Sequence, residues 1–366
     1  MRLHIYNIDH DIALAANLSQ FTPPHVCRQM WSDLGFLPVF WAEDGDLVLV
    51  DDVEAALEQV RHFKVSIPKV VFVTDDDLRN TPFTNIDVEP WGWDVALQKR
   101  LLKLNPMFAS SLPTSSQLAF IRHASNRTYA ADHILPQIVS IDSRLTGTSR
   151  YVTHIDKLRQ LLDSPKVLKA PWSCSGRGVR YVEEPKRQVM QWAANIIRQQ
   201  GGIMVEPLYN KVCDFGMEFH IGSDGSADYC GLSLFKTSNG AYQGNILASE
   251  KKKNELLNRY LPQELLSKVR EALSQRLSAL LGGHYEGPLG IDMMVVAGDS
   301  DDDTGTDGFL LHPCVEMNLR RTMGHVALAL SKDEQIPQRL MNISFEHRFK
   351  FKIQNTFEDA LNTMVY

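Results

Sequence analysis

The sequence predicts an α/β protein of two or three packed units, with α+β character in its central part. Three observations support this fold class. The chain has 366 residues, which is too long for a single small domain. Residues 1–115 alternate short apolar strands with helical segments, in the βαβ rhythm of a small α/β unit. From Ser115 onwards the pattern changes to strands that flank glycine-rich loops, and it includes a long hairpin.

Composition and net charge indicate which kinds of binding partner and which cellular location the sequence favours. Hydrophobic residues make up 44% and charged residues 22% of the chain, as in globular proteins. A net charge of -6 argues against a general nucleic-acid binder, which normally shows a basic footprint. The sequence lacks a signal-peptide pattern and an apolar run of the roughly 18 residues that span a bilayer. The five cysteines have no Cys-x-x-Cys spacing, as is typical of reduced thiols. We expect a cytoplasmic location, with neither nucleic acid nor a membrane as partner.

The first unit is predicted over residues 1–115. Apolar runs bounded by turn residues predict strands at residues 3–8, 37–41, 46–50 and 70–73. Helical patterns occupy residues 25–34, 53–63 and 95–104. Short polar side chains follow the first strand: Asn7, Asp9, His10 and Asp11. Open α/β sheets bind ligands at this position, although turn and helix-capping chemistry is the commoner use of such residues.

A strand, a loop and a second strand form the next informative segment. Helices are predicted over residues 116–123, 127–134 and 152–162, and Arg127 stands at the head of the second. Lys169 lies on a strand over residues 166–170, which leads into a loop containing Ser173, Ser175, Gly176, Arg177 and Gly178. Glycine lets a backbone approach phosphate oxygens, and consecutive N–H groups form an anion-binding concavity. A simple hairpin turn explains the same residues, because the loop matches neither common phosphate-binding pattern.

Two glutamates mark the following segment. A helix over residues 188–199 precedes a strand over residues 203–205. Glu206 and Pro207 follow this strand and are expected to interrupt its regular pairing. Such a strand end can present backbone groups to a planar heterocycle, although proline is equally typical of an edge strand. Glu218 lies within an apolar strand over residues 215–221, where an unpaired carboxylate is costly. It is therefore expected to face solvent or to have a partner.

The stretch over residues 289–325 is predicted to be a hairpin with polar residues at its outer ends. Its strands, over residues 291–296 and 309–315, flank an acidic connector that is expected to be a solvated loop. Asp292 lies on the first strand, while Glu316 and Asn318 follow the second and share a face. Two basic residues come next, Arg320 and Arg321. Two carboxylates and an amide beside arginines suit Mg²⁺ and phosphate, whereas each carboxylate alone is more simply a surface charge.

Together these motifs resemble the ATP-grasp superfamily, from about residue 115 to about residue 330. In that family a basic residue opens a helix and a second precedes a glycine-rich loop. An acidic hinge holds adenine and ribose, and a final D/E…E-x-N-x-R signature binds Mg²⁺. The matching residues here are Arg127, Lys169, Glu206, Glu218, Asp292 and the run Glu316-Met317-Asn318-Leu319-Arg320. The last run is the most specific, whereas Arg127 stands where lysine is usual.

The resemblance implies a division of the chain. Residues 1–115 resemble the α/β domain that precedes an ATP-grasp core. The ATP-grasp N-terminal subdomain with the phosphate loop is expected over residues 116–200, and the C-terminal subdomain with the metal site over residues 201–345. These two α+β subdomains would enclose the nucleotide. Residues 346–366 are expected to form a tail that packs on the core.

The resemblance also implies an activity, that of a carboxylate–amine or carboxylate–thiol ligase using ATP and Mg²⁺, with Mn²⁺ as an alternative ion. The substrate carboxylate attacks the γ-phosphorus, ADP leaves, and an amine or another nucleophile takes the acyl group. Such chemistry depends on positioning and charge neutralisation. The expected partners are a small-molecule or peptide carboxylate and a nucleophilic acceptor. A phosphotransferase on the same scaffold and a non-catalytic nucleotide-binding module are the alternatives.

Roles follow for individual residues. Arg127 and Lys169 would hold the α- and β-phosphates, and the loop over residues 173–178 would close over the β/γ end of the triphosphate. Glu206 and Glu218 would contact the nucleotide. Asp292, Glu316 and Asn318 would hold the metal. Lys169 and Arg320 are the expected catalytic residues. The guanidinium of Arg320 can bind a carboxylate or phosphate in bidentate fashion. Substrate contacts are expected from Arg320, Arg321 and Lys236, although a lone lysine at a strand end is more often simply solvated.

Overall fold

The computed structural model describes residues 1–63, 66–81, 86–173, 178–238, 241–298, 308–332 and 338–355. Within these ranges the chain forms one parallel and two antiparallel sheets with helices packed on them, so the predicted α/β class with an α+β core is confirmed. None of the described helices is long and apolar enough to cross a membrane. Some predicted features lie outside the described residues, namely Ser175, Gly176, Arg177, most of the hairpin connector and residues 356–366.

The first unit is a parallel sheet of order β3-β2-β1-β4. Its strands are β1 (Arg2–Ile5), β2 (Leu47–Leu49), β3 (Val71–Val73) and β4 (Asp87–Pro90). Its helices are α1 (His10–Ala16), α2 (His25–Leu34), α3 (Val53–Arg61), α4 (Asp75–Asn80) and α5 (Val95–Leu104). The strand predicted over residues 37–41 is wrong, because Leu37–Phe40 is a 3-10 helix with Pro38 in its first turn. Proline fixes a helix-compatible φ and cannot donate to a sheet ladder.

The second unit combines helices with a small antiparallel sheet of order β5-β8-β6-β7. Its helices are α6 (Ser115–Ala124), α7 (Arg127–His133), α8 (Leu135–Val139), α9 (Ile155–Leu161) and α10 (Arg187–Gln200). Its strands are β5 (Arg150–Val152), β6 (Lys166–Lys169), β7 (Val179–Val182) and β8 (Ile203–Pro207). The predicted interruption at Glu206 and Pro207 is wrong, because both residues stay in register with β6.

A larger antiparallel sheet forms the third unit, with the order β13-β12-β9-β10-β11-β14-β15. Its strands are β9 (Lys211–Ile221), β10 (Ala227–Ser238), β11 (Ala241–Leu247), β12 (Gly287–Ala297), β13 (Phe309–Asn318), β14 (Arg339–Phe345) and β15 (Phe349–Asn355). Its helices are α11 (Glu250–Leu257), α12 (Gln263–Leu281) and α13 (Met323–Ala329). The predicted hairpin is β12–β13, and Glu316 and Asn318 belong to its second strand rather than following it.

An apolar cluster joins the two ends of the chain. The Phe351 ring, on β15, lies 5.4 Å from the Phe40 ring and 5.6 Å from the Phe63 ring. The same cluster contains Tyr6 and Trp91 of the first unit. This packing holds the first unit against the seven-stranded sheet and so positions the loop after β1. The division into units at residues 115, 200 and 345 stays a prediction.

Candidate nucleotide and metal site

A cavity of about 320 Å³ is bordered by residues of all three units. Most of the described residues that the sequence singled out line it: Arg127, Lys169, Ser173, Glu206, Glu218, Asp292, Glu316, Asn318 and Arg320. A larger groove of about 680 Å³ lies between α3 and the last two strands, and its lining contains none of these residues. We place the candidate site in the smaller cavity, because the chemistry converges there.

One side of this cavity, which we call the nucleotide side, pairs Lys169 with Glu206. Lys169 Nζ lies 2.5 Å from Glu206 Oε2, and both side chains are buried. Ser149 Oγ donates a hydrogen bond of 3.0 Å to Glu206 Oε1. The pair forms because β6 and β8 are neighbouring strands whose side chains reach the same face. Apolar side chains complete this side and suit a planar base: Val167, Val179, Pro207, Leu208 and Val315.

Arg127 connects the start of the predicted phosphate loop to the hairpin. Its Nη1 donates to Ala170 O at 2.6 Å and to Ser173 Oγ at 2.9 Å, while its Nη2 lies 2.6 Å from Glu316 Oε1. Gly178 closes the described part of the loop, where a Cβ atom would overlap the Ser173 side chain. Glycine at this position therefore permits the close approach of the two loop ends.

The predicted metal ligands lie together on β12 and β13. Asp292 is the cross-strand neighbour of Glu316, and Asn318 Nδ2 donates to Asp292 Oδ2 at 3.1 Å. Burial, together with the negative charges of Glu316 and Glu218, raises the pKa of Asp292 to about 8. Among the described residues, no group of three or more His, Cys, Asp and Glu side chains is arranged to hold a metal ion. The predicted set has only two carboxylates, which with one amide oxygen still suits Mg²⁺, because Mg²⁺ keeps several waters.

Arg320 is held by a residue of the first unit, and we call the region around it the Arg320 side. Its Nε and Nη2 donate to the Asp11 carboxylate at 2.9 and 2.8 Å, and Nη2 also donates to Asn318 Oδ1 at 2.8 Å. Burial disfavours the charge on Asp11, but the Arg320 guanidinium outweighs burial and lowers the pKa of Asp11. For the polar residues after the first strand, ligand binding and helix capping are both open from the sequence. The contact of Asp11 with Arg320 is not predicted by either.

Glu218 also lines the cavity. It accepts hydrogen bonds from Ser233 Oγ at 2.8 Å and Thr322 Oγ1 at 2.9 Å, and His325 Nδ1 lies 3.1 Å away. Burial raises the pKa of Glu218 to about 7, although both hydroxyl groups favour its ionised form. A Cβ atom at Gly324 would overlap its carboxylate. The expectation that Glu218 has a partner is met by these polar groups.

The two remaining predicted residues lie away from the cavity lining. The Arg321 guanidinium stacks 4.6 Å from the Trp41 ring and lies 3.7 Å from Glu89 Oε2, so it points into the first unit. Burial lowers the pKa of Arg321 to about 10. Lys236 lies on β10 between Phe235 and Thr237, which do line the cavity. A contact of either residue with a substrate stays a prediction.

The sequence reasoning missed several lining residues besides Asp11. Lys211, Asp214 and Thr237 form a polar group on β9 and β10, with Lys211 Nζ 2.6 Å from Asp214 Oδ2. Others come from the first unit and from β11: Tyr6, Trp91, Tyr242 and Asn245. Short polar residues after β1 were a usable signal for Asp11. No local pattern marks the aromatic residues, because their role depends on how the units pack.

No protein-family model and no curated protein sequence matches the chain. Its structure is similar to the biotin carboxylase domain of Hydrogenobacter thermophilus 2-oxoglutarate carboxylase, solved with MgADP, ADP and bicarbonate. The TM-score is 0.53 and the identity 9%, over 93% of this chain and 74% of that chain. It is also similar to a protein from Archaeoglobus fulgidus assigned to the ATP-grasp superfamily. That TM-score is 0.50 and the identity 11%, over 98% of this chain and 100% of that chain.

These similarities define the class of fold. The chain has the ATP-grasp fold, and the resemblance detected in its sequence motifs is confirmed at that level. The similarity covers nearly the whole chain, so the first unit is included in it. At identities near 10% the likeness shows the fold alone, and the specific reaction has to be argued from the site.

Proposed function

We propose that this protein is an ATP- and Mg²⁺-dependent ligase, which activates a substrate carboxylate as an acyl phosphate for attack by an amine or another nucleophile. The observation that carries the proposal is the single cavity that brings Lys169, the Asp292–Glu316–Asn318 set and Arg320 together. The residues that would bind the nucleotide, the cation and the substrate carboxylate thus line one cavity. The MgADP and bicarbonate in a protein of the same fold support this choice.

Asp292, Glu316 and Asn318 are the residues that would hold Mg²⁺, or Mn²⁺ in its place. A bound Mg²⁺ ion supplies charge neutralisation for phosphoryl transfer. The fit rests on the position of the two carboxylates, which are cross-strand neighbours in a buried setting where their charges repel each other. A cation between them would relieve this repulsion.

The basic residues of the nucleotide side would bind phosphate oxygens. Lys169 and Arg127 now pair with Glu206 and Glu316, so their charges are already directed into the cavity. Glu206 and the neighbouring apolar residues would hold the base. Arg320 would bind the carboxylate of the substrate through its planar guanidinium and position it for attack on the γ-phosphorus.

The proposal is tested by measuring ADP release from Mg-ATP with mixtures of carboxylic acids, with and without amines. We expect sustained ADP release only when an acid and a second nucleophile are both present. Hydroxylamine should replace the amine and give a hydroxamate, because it attacks acyl phosphates. Sustained ADP release with one substrate alone and a stable phosphorylated product would establish the phosphotransferase instead. ATP binding without turnover in any mixture would indicate a non-catalytic module.

A further inference from the structure

The Arg320 side of the cavity has walls unlike those of the nucleotide side. Its lining includes Tyr6 and Trp91 from the first unit and Tyr242 from β11. The Tyr6 and Trp91 rings meet edge to face, with centroids 5.0 Å apart. Ile8, Met30, Met323 and Ile343 add apolar surface. Such walls fit an apolar or aromatic body rather than a sugar or a phosphate.

The ion pair at this side is Arg320 with Asp11, and the carboxylates of Asp292 and Glu316 lie near enough to act on Arg320. The side chains of Arg320 and Asp11 are 15% and 17% exposed, so they are accessible to a ligand in the cavity but largely removed from water. The other cations among the described lining residues, Arg127, Lys169 and Lys211, pair with Glu316, Glu206 and Asp214. A phosphorylated substrate normally meets several cations or a basic cluster. Arg320 is a single cation that Asp11 already neutralises, so it does not supply such a basic cluster.

The Arg320–Asp11 ion pair limits which charged groups a ligand can carry at this position. A simple carboxylate that displaced Asp11 from Arg320 would leave the Asp11 carboxylate largely buried without a counter-charge, which is strongly unfavourable. A ligand that carries both an ammonium and a carboxylate avoids this penalty. Its carboxylate can take Arg320 while its ammonium takes Asp11, so both protein charges keep a partner.

Unpaired polar atoms occur beside the same walls. In the described part of the structure the Tyr6 hydroxyl, Trp91 Nε1 and Asn245 Nδ2 have no hydrogen-bond partner, and these residues are 0%, 2% and 1% exposed. Asn245 Oδ1 accepts from the Tyr242 hydroxyl at 2.5 Å. These polar atoms are themselves almost completely buried, so a ligand in the cavity would meet ring surface rather than the unpaired atoms.

We propose that the Arg320 side binds a non-phosphorylated zwitterion, an α-amino acid with an apolar or aromatic side chain, with its carboxylate on Arg320 and its ammonium on Asp11. This inference rests on the proposed function, since it names the acid that the ligase would activate. It goes further in excluding phosphorylated acids and simple monocarboxylates as the preferred substrates.

Calorimetric titration with small probes tests the inference. Each probe is titrated twice, once without nucleotide and once with Mg²⁺ and a non-hydrolysable ATP analogue present. The probes are both enantiomers of phenylalanine, leucine and methionine. Their counterparts are 3-phenylpropionate, which lacks the ammonium, phenethylamine, which lacks the carboxylate, and O-phosphoserine. We expect at least one amino acid to bind about tenfold or more tightly than 3-phenylpropionate and phenethylamine, because each lost charge-assisted hydrogen bond weakens binding by that order. O-Phosphoserine keeps both charged groups but adds a phosphate that would meet no cluster of cations, so it should also bind more weakly. Equal binding of 3-phenylpropionate, tighter binding of O-phosphoserine, or no amino-acid binding overturns the inference.

A matched pair of variants tests the role of Asp11. Asp11→Asn keeps the shape of the side chain and removes its charge, so the preference for phenylalanine over 3-phenylpropionate should be largely lost. Asp9→Asn is the control, because Asp9 is the N-cap residue of the helix that carries Asp11, makes no side-chain cap hydrogen bond and is not among the lining residues. An unchanged preference in Asp11→Asn overturns the assignment of the ammonium. Should that variant not fold, the probes on the parent protein decide.

The outcome separates this inference from the proposed function. Amino-acid binding without ADP release from any acid would contradict the ligase and leave the zwitterion site standing. If ADP release depends on a nucleophile but the acids that support it lack an ammonium group, the ligase would be supported and the proposed zwitterion site would be overturned.

Discussion

The nucleotide side and the Arg320 side of the cavity differ in how the chain assembles them. Lys169 and Glu206 come from neighbouring strands of one small sheet, and their side chains meet because of strand register. Asp11 and Arg320 are 309 residues apart and meet only because the first unit packs against the seven-stranded sheet. The comparison teaches that the residues proposed to bind phosphate and metal can be found from local motifs, while the pair proposed to bind the substrate is formed only by packing between units.

The largest loss of activity is expected from a change among the three proposed metal ligands, Asp292, Glu316 and Asn318. Glu316→Gln removes one of the two carboxylates, so Mg²⁺-dependent ADP release should fall by about 10²–10³, as is common when a preorganised charge is removed from an active site. The free energy of unfolding should change little, because the lost ion pair with Arg127 is offset by the removal of repulsion between Glu316 and Asp292. Steady-state ADP release over a Mg²⁺ titration, with urea unfolding alongside, measures both. The exposed Glu264→Gln is the control, and a Glu316→Gln enzyme as active as its parent would remove Glu316 from the ligands.

On the nucleotide side, Lys169→Ala should weaken ATP binding by roughly ten- to a hundredfold, because one charge-assisted hydrogen bond is worth about 1.5–3 kcal/mol. Part of the loss would reflect Glu206, whose buried carboxylate would then lack its ion-pair partner. Equilibrium titration with ATP measures the change, and Lys166→Ala on the same strand is the control. Unchanged ATP affinity in a folded Lys169→Ala protein would show that this side does not bind the phosphates.

A smaller effect is expected at Glu218, which also lines the cavity. Its pKa is raised from 4.5 to about 7 in the folded protein, so the folded state keeps a proton that the unfolded state has lost between these values. Stability should therefore fall as pH rises through this window, by at most about 1.4 kcal/mol per pH unit, and then stay level with respect to this group.

Urea unfolding at pH 5, 6, 7 and 8 checks this pH dependence. Glu218→Gln should have a flatter profile over pH 5–7 than the parent, while the exposed Glu286→Gln should keep the parental slope. Parallel profiles for Glu218→Gln and the parent would mean that Glu218 does not hold its proton in the folded state.

Local sequence patterns were most reliable where one element carries the whole signal. Local signals placed α2 and α5 at their observed bounds, with Pro24 before α2 and Gly35 after it. The E-x-N-x-R run placed Glu316, Asn318 and Arg320 together at one strand end. The strand predicted at residues 37–41 was wrong, because an apolar run that short has the same pattern in a buried strand and in a 3-10 helix.

By itself, the sequence determined the α/β class, the ATP-grasp motifs and the residues expected to bind phosphate and metal. Those features depend on periodicity and spacing within single elements, which short-range geometry controls. Only the tertiary structure decided that Asp11 neutralises Arg320, that Glu206 neutralises Lys169, and that Tyr6 and Trp91 form a wall of the cavity. Contacts between distant segments follow from the packing of whole sheets, and no local pattern records which side chains that packing brings together.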